Sequence, residues 1–324
     1  MGRIFPGALA CLLAAGMIAP AAAAQDDIST THDGLQGDLV GTVQGTLDAD
    51  MPVVLIHPGS GPTDRDGNSP LGVAGSSLRL LAEGLEARGI ASVRIDKRGM
   101  AASAGAVTDP NDVSVEAYAA DIAAWTDTIA EASGAECIWL LGHSEGGMHT
   151  LAAANADPDR YCGILLVASV GRPLAETLRE QLANAPGLGA LMPQVDDLVT
   201  RIAAGETVPV DEMHPVLLNI FPPPVQPFLT SLFNHRPAEM VANLDMPVLI
   251  VNGREDLQTT EDDAQALADG QPEARLVLLE GVNHMLKEVP EGDRAANLAS
   301  YTRDDLPISA AVVDTIADFV LAER

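Results

Sequence analysis

The chain has 324 residues, of which 46 are acidic and 18 basic, a formal net charge of −28, and 47% of its residues are hydrophobic. This hydrophobic content can build a sizeable core, which excludes a mainly disordered chain. The negative charge argues against a nucleic-acid partner and against docking on anionic lipid, because both need a basic face. A solvated acidic surface is the simplest explanation of the charge.

The first 24 residues have the pattern of a secretory signal peptide. Arg3 precedes an apolar stretch over residues 8–18, and Ala22, Ala23 and Ala24 fit a small-residue cleavage site. A lipoprotein anchor at Cys11 is the alternative. No later stretch approaches the roughly 18 apolar residues of a membrane span. We therefore expect an exported, periplasmic or secreted protein without membrane insertion.

Two cysteines remain after residue 24, and each stands at the start of an apolar run. Cys137 precedes residues 138–141, and Cys162 precedes residues 163–167. If the two runs are neighbouring parallel strands, the thiols share one edge of the sheet, and an oxidising compartment allows a disulfide. Two buried free thiols are the alternative, since the Cα separation decides.

Beyond residue 36, short apolar runs alternate with helical patterns. Residues 25–34 are polar and expected to be loose, and residues 36–47 resemble an antiparallel hairpin. Buried strands are then expected at 52–56, 90–95, 138–141, 163–168, 247–251 and 275–279, and helices at 76–88, 114–132, 145–155, 261–268 and 308–322. Such alternation predicts an α/β fold, a parallel sheet with helices on both faces.

The alternation stops over residues 171–244. This segment has helical patterns and a proline-rich stretch after Phe221, but no convincing buried strand. We interpret it as a helical cap insertion, with a core formed by residues 25–170 and 245–324. Apolar side chains of the cap would form an acyl pocket, and for each of them packing of the cap on the sheet is the alternative. These side chains are Leu217, Leu218, Phe221, Phe228 and Phe233.

The strongest chemical signal is the sequence Gly-His-Ser-Glu-Gly-Gly at residues 142–147. It follows a predicted buried strand and precedes a predicted helix, the context of a nucleophile elbow. The glycines allow a sharp turn that exposes the hydroxyl of Ser144, and the helix amino terminus favours a developing oxyanion. Ser144 is therefore the candidate nucleophile.

A serine hydroxyl needs a base, and in an elbow enzyme the acid and then the histidine follow along the chain. Asp256 comes just after a predicted strand, and His284 lies in the loop after the last strand. Because these loops meet at one edge of a parallel sheet, the three side chains can converge. Glu255 is the alternative acid.

The Gly-rich segment after the first buried strand is the candidate oxyanion loop. The amide of Ser60 is the best first donor, with Gly59 or Gly61 as alternatives in another register, and the amide of Glu145 is the second. His57 and Gly59 are expected to line the substrate site, together with the cap residues Phe221 and Phe228.

Several other polar residues lie near these loops. His143 is inside the elbow and is expected to point away from Ser144. The charged residues 64–66 form either a network that rigidifies the loop or an ordinary surface turn, and residues 96–99 are expected to form structural ion pairs. No spacing typical of metal ligands appears, so neither a metal nor a cofactor is expected.

Together, residues 59–68, 96–99 and 142–147 resemble the α/β-hydrolase superfamily, and within it the EstD-like bacterial carboxylesterases near the dienelactone-hydrolase and serine-aminopeptidase relatives. The resemblance extends from about Leu35 to the C-terminus. It implies an eight-stranded, mostly parallel sheet, a helical cap after strand six, and Ser-Asp-His catalysis on short acyl esters. Residues 101–103 and the His-Pro-Gly order at 57–59 depart from the family pattern.

The resulting hypothesis is an exported serine hydrolase that acts on a small-molecule ester. A peptidase or an acyltransferase on the same triad is the first alternative. A binding protein that keeps the fold without activity is the second, and an intact set of Ser144, Asp256 and His284 argues against it. The sequence does not indicate an oligomeric state.

Overall fold

The computed structural model describes residues 26–185 and 187–323. The expected signal peptide over residues 1–24 lies outside the described residues. Within the described part of the chain, no helix has both the length and the apolar character needed to cross a membrane.

One eight-stranded sheet forms the centre of the molecule, in the order β1-β2-β4-β3-β5-β6-β7-β8. Its strands are β1 (Asp26–Thr30), β2 (Leu39–Gln44), β3 (Val53–His57), β4 (Ala91–Ile95), β5 (Ile138–His143), β6 (Tyr161–Val167), β7 (Val248–Gly253) and β8 (Arg275–Leu279). Strand β2 is antiparallel to both its neighbours, and all other pairs are parallel. The predicted mostly parallel sheet is therefore confirmed.

Helices cover both faces of the sheet, as expected when buried parallel strands expose apolar side chains on each side. The helices are α1 (Ser77–Glu86), α2 (Val115–Ser133), α3 (Gly146–Ala156), α4 (Leu174–Ala183), α5 (Met192–Ala203), α6 (Gln226–Asn234), α7 (Pro237–Val241), α8 (Glu261–Gly270), α9 (Arg294–Ser300) and α10 (Ala310–Ala322). Helices α1 and α10 pack in the core of one face, and α2, α3 and α8 pack in the core of the other.

Four helices, α4 to α7, lie between β6 and β7, where the cap was expected. Most of this segment has an apolar core of its own, which includes Val199, Leu217, Phe221 and Phe233. A smaller cluster joins Leu232 of α6 to Met148 of α3. The segment thus packs on the core next to the elbow helix.

The expectation that residues 25–34 are loose is wrong for residues 26–30. They form β1, which pairs antiparallel with β2, with Ile28 opposite Gly41. The polar sequence hides this strand because it lies at the sheet edge and is stabilised by tertiary contacts. Ile28 packs against the core, and the hydroxyl of Thr30 donates to the carbonyl of Ala124 on α2.

Cys137 and Cys162 form a disulfide with a Cα–Cα distance of 5.2 Å. The two residues lie at the amino-terminal ends of the paired strands β5 and β6. Since Ser144 follows the carboxyl end of β5, the disulfide and the elbow lie at opposite ends of this strand.

Candidate active site

Ser144 occupies a strained turn between β5 and α3. Its φ is 56°, a left-handed conformation that side chains other than glycine rarely adopt. The turn closes only because its neighbours lack a Cβ: one on Gly142 would lie 2.5 Å from backbone atoms of Gly147, and one on Gly146 would lie 2.6 Å from the carbonyl oxygen of Pro58. The elbow glycines are thus required by backbone packing.

Asp256 and His284 form a buried pair. Nδ1 of His284 lies 2.7 Å from Oδ2 of Asp256, so its N–H donates to the carboxylate. The other carboxylate oxygen accepts the backbone N–H groups of Gln258 at 2.7 Å and Thr259 at 2.9 Å, and Oδ2 also accepts the Thr259 hydroxyl at 2.9 Å. These bonds fix the carboxylate and the ring, and leave Nε2 of His284 as the basic nitrogen.

The structure also decides between the two candidate acids. Glu255 is half-buried, and its Oε2 accepts the N–H of Gly292 at 3.1 Å, away from His284. Asp256, its neighbour, is the residue that reaches the imidazole.

His143 holds the loop that carries His284. Its Nε2 donates to the backbone carbonyl of His284 at 3.0 Å, and the two rings are 4.8 Å apart. Burial lowers the pKa of His143 to about 4, so the ring stays neutral near pH 7. Sequence reasoning missed this role of His143, although its place inside the elbow was a signal that it could support the histidine.

Ser144 and His284 line the same chamber, which has a volume of about 200 Å³. The remaining lining residues are small, polar or apolar, with no carboxylate among them: Gly59, Ser60, Gly61, Thr63, Gly67, Ser69, Leu71, Val73, Ser77, His143, Gln258 and Met285. We call this space the nucleophile chamber.

The candidate oxyanion loop lies directly against the nucleophile. A Cβ built on Gly59 would be 3.0 Å from the Cβ of Ser144, so the Gly59–Ser60 peptide is beside the side chain of Ser144. Within the described residues, the N–H groups of Ser60 and Glu145 have no hydrogen-bond acceptor. Two free amide donors at such a position can bind the oxygen of a tetrahedral intermediate.

Known structures match this architecture along nearly its whole length. Est1E from Butyrivibrio proteoclasticus has a TM-score of 0.56 at 17% identity, and the match covers 92% of this chain and 98% of that chain. GrgF, an alpha/beta hydrolase from Penicillium sp. sh18, has a TM-score of 0.60 at 20% identity, with 93% and 99% covered. The chain has the α/β-hydrolase fold.

Sequence comparisons narrow the relationship. Residues 73–213 match the family model described as serine aminopeptidase, S33. Esterase EstD from Thermotoga maritima is 26% identical over 275 residues, which cover 83% of this chain and 61% of EstD. The predicted resemblance to EstD is confirmed by this match, although the chain spans less than two thirds of the length of that relative.

Charged residues rigidify the candidate oxyanion loop. The backbone N–H of Arg65 donates to Oδ1 of Asp96 at 2.8 Å, and Oδ1 of Asp64 accepts the N–H of Asp66 at 3.0 Å. The guanidinium of Arg94 donates to Asp66 at 3.2 Å. The structure thus favours the network over the ordinary surface turn.

Two residues expected to line the substrate site are elsewhere. His57 is fully buried, its Nδ1 donates to the carbonyl of Pro58 at 3.0 Å, and burial lowers its pKa to about 3. Phe221 is fully buried in the cap core. Both lie outside the lining of the nucleophile chamber, since the end of β3 and the cap interior are covered by other elements. Gly59 does line that chamber.

Phe228 lines a second cavity, of about 400 Å³, which we call the cap chamber. Its walls are mostly apolar and come from the cap and the core: Pro62, Met100, Pro110, Asn111, Val113, Tyr118, Ile220, Val225, Leu229 and Leu232. Lys97 and Glu145 also border it, and Ser60 and Gly61 border both chambers.

Proposed function

We propose that this chain is a serine carboxylesterase that cleaves short-acyl esters through an acyl-enzyme intermediate. The observation that carries this proposal is the buried Asp256–His284 pair, which shares a chamber with Ser144 on its strained turn. The similarity to EstD, which is named an esterase, supports the same activity.

The geometry supports the following sequence of steps. Nε2 of His284 takes the proton of Ser144, whose oxygen attacks the ester carbonyl carbon. The N–H groups of Ser60 and Glu145 bind the resulting oxyanion, while Asp256 stabilises the imidazolium. His284 then gives its proton to the departing alcohol oxygen, and the acyl group remains on Ser144.

Water completes the reaction by the same path. His284 takes a proton from the water as its oxygen attacks the acyl carbon, and the second tetrahedral intermediate forms in the same oxyanion site. When it collapses, the Ser144 oxygen leaves with the proton from His284, and the carboxylic acid is released.

The volumes of the two chambers support small substrates. The nucleophile chamber of about 200 Å³ is below the roughly 300–1,000 Å³ of pockets for drug-sized ligands, which favours a short acyl group. The apolar cap chamber lies across Ser60 and Gly61, so an ester carbonyl at Ser60 can place its alcohol group there. We propose this division of the substrate between the chambers.

An aminopeptidase is the second candidate, because the matching family model is described as serine aminopeptidase. A free α-ammonium group beside the scissile bond needs a carboxylate partner. The residues that line the nucleophile chamber include none, which favours a neutral ester.

Replacement of Ser144 by alanine tests the proposal. We expect p-nitrophenyl acetate and butyrate hydrolysis to fall by at least about 10³-fold and fluorophosphonate labelling to disappear, with an unchanged circular dichroism spectrum. A panel of aminoacyl p-nitroanilides run beside the esters separates the two candidates. Undiminished ester turnover in the variant would contradict the esterase, and preferential cleavage of the anilides would make the chain a peptidase.

We also propose that the chain is exported after cleavage near residue 24. The disulfide between Cys137 and Cys162 supports this, because such bonds persist mainly in oxidising compartments. Cell fractionation with amino-terminal sequencing tests it: a mature protein that begins at Gln25 is expected, and an intact Met1 in the cytoplasm would contradict it.

A further inference from the structure

Lys97 is a buried cation that the proposed reaction does not use. It is only 2% exposed and follows β4 at the edge of the sheet that carries the site. Its Nζ donates to the carbonyl oxygens of Gly59 and, at 2.9 Å, of Gly61. Lys97 therefore holds the carbonyls on both sides of Ser60.

The carbonyl contact determines where the Ser60 N–H points. The described chain has no cis peptide bond, and in a trans peptide the carbonyl oxygen and the next N–H point in opposite directions. Because the Gly59 carbonyl points to Lys97, the Ser60 N–H points away from it. Lys97 borders the cap chamber and not the nucleophile chamber, so the N–H faces the side of Ser144.

The loop needs such support, because glycines stand on both sides of Ser60. Gly61 has a φ of 64°, and Gly59 has no Cβ to bias its backbone, so rotation of the Gly59–Ser60 peptide meets little intrinsic resistance. A rotated peptide would point a carbonyl oxygen at the nucleophile chamber and would repel an oxyanion.

The second donor is held in the same manner by a neutral group. The hydroxyl of Ser169 donates to the carbonyl of Ser144 at 3.2 Å, which directs the Glu145 N–H to the opposite side. Both proposed oxyanion donors thus belong to peptides whose carbonyl oxygen accepts a hydrogen bond on the side opposite the N–H. The donor is the Ser169 hydroxyl in one peptide and the buried ammonium group of Lys97 in the other.

We infer that Lys97 is a positioning residue that keeps the Ser60 N–H directed into the oxyanion site; this inference rests on the proposed serine hydrolase function. The carboxyl group of Glu145, on the elbow, is the group of opposite charge: burial raises its pKa, and Lys97 opposes the increase. The other titratable groups that face this region are Tyr118, whose ring centre is 5.7 Å from Nζ, and the histidines His57 and His149.

Because Lys97 can lose its charge, its proposed positioning role predicts that kcat depends on pH. Burial lowers its pKa to about 8, while Glu145 opposes the decrease. The charged form therefore predominates below about pH 8 and is lost above it. A neutral amine donates weaker hydrogen bonds to carbonyl oxygens than an ammonium group does. The hold on the loop is thus strongest below pH 8.

Lys97→Met is the direct test, and Arg98→Met is its matched control. Arg98 is the next residue and is also buried, but it pairs with Asp121 at 2.6 and 2.7 Å and does not contact the oxyanion loop. We expect Lys97→Met to lower kcat by about 10²-fold with little change in KM, since one oxyanion donor is lost. Arg98→Met should retain kcat while its Tm decreases.

The pH profile and a structure distinguish positioning from general destabilisation. Wild-type kcat should decline above about pH 8. This alkaline decline should be absent in Lys97→Met and should begin at lower pH in Glu145→Gln. A crystal structure of Lys97→Met should show the Gly59–Ser60 peptide rotated.

Either of two results would overturn the inference: an unchanged kcat in folded Lys97→Met, or an equal loss of kcat in Arg98→Met. The crystal structure does not depend on turnover. If the wild type lacks esterase activity but the peptide rotates in Lys97→Met, the proposed function fails and the positioning role stands. If the wild type is active and the peptide keeps its direction, only the positioning role fails.

Discussion

The two sides of Ser144 differ in how completely their buried polar atoms are satisfied. On the side of His284, both carboxylate oxygens of Asp256 accept hydrogen bonds, and the backbone of the histidine loop is held by His143. On the opposite side, behind the oxyanion loop, Oε1 of Glu145 and both ring nitrogens of His149 have no hydrogen-bond partner among the described residues, although Nε2 of His149 lies 3.7 Å from Oε1 of Glu145.

The two sides therefore contribute differently to the proposed reaction. The satisfied side is a rigid hydrogen-bonded unit whose geometry supports proton transfer. The opposite side keeps a cation and a carboxylate in a region of low polarity, where charges interact strongly and unpaired groups are costly. This side fixes the direction of the two proposed oxyanion donors and the electrostatic potential around them.

Asp256→Asn breaks the satisfied side and should have the largest effect among the three predictions here. We expect kcat to fall by about 10³–10⁴-fold, because an amide cannot stabilise the imidazolium and favours the wrong tautomer of His284. Steady-state kinetics with p-nitrophenyl butyrate measure it. Glu255→Gln, one residue away, is the matched control and should stay within about twofold of wild type; a larger loss in the control would assign the acid to Glu255.

Removal of the disulfide tests whether the amino-terminal ends of the strands affect either side of Ser144. The Cys137→Ser/Cys162→Ser variant should lose about 3 kcal/mol of unfolding free energy, since the bond closes a loop with a sequence separation of 25 residues. Urea denaturation measures the loss. The kcat at 25 °C should be unchanged. A parallel loss of kcat in the folded variant would show that the amino-terminal ends of the strands affect the site at their carboxyl ends.

The smallest effect is expected from Leu229→Trp, which fills the cap chamber. We expect a roughly tenfold lower kcat/KM for 1-naphthyl acetate and no change for methyl acetate, because only the larger alcohol needs this chamber. Asn234→Trp, at an exposed position of the same helix, is the control. Equal losses of kcat/KM for both esters would contradict the proposed division of the substrate between the two chambers.

Much of the fold was predictable because its signals are local. Mostly apolar runs of four to six residues mark the parallel strands, and the helical spacing of leucines marks α1. Strand β1 was missed because its sequence is polar, and its pairing with β2 depends on contacts distant along the chain. Helix α9 was also not predicted, although Asp293 caps its first turn by accepting the N–H of Ala296.

The sequence alone predicted the turn that carries Ser144, since glycines at 142, 146 and 147 leave room for a turn that a Cβ at any of these positions would obstruct. It also indicated that an acid and a histidine follow at strand ends. The folded structure was needed to show that Asp256 and not Glu255 meets His284, that His57 and Phe221 are buried away from the nucleophile chamber, and that Lys97 reaches the oxyanion loop. Neighbouring residues have nearly equal positions in sequence, whereas their side chains point in different directions, and only packing shows which of them makes contact.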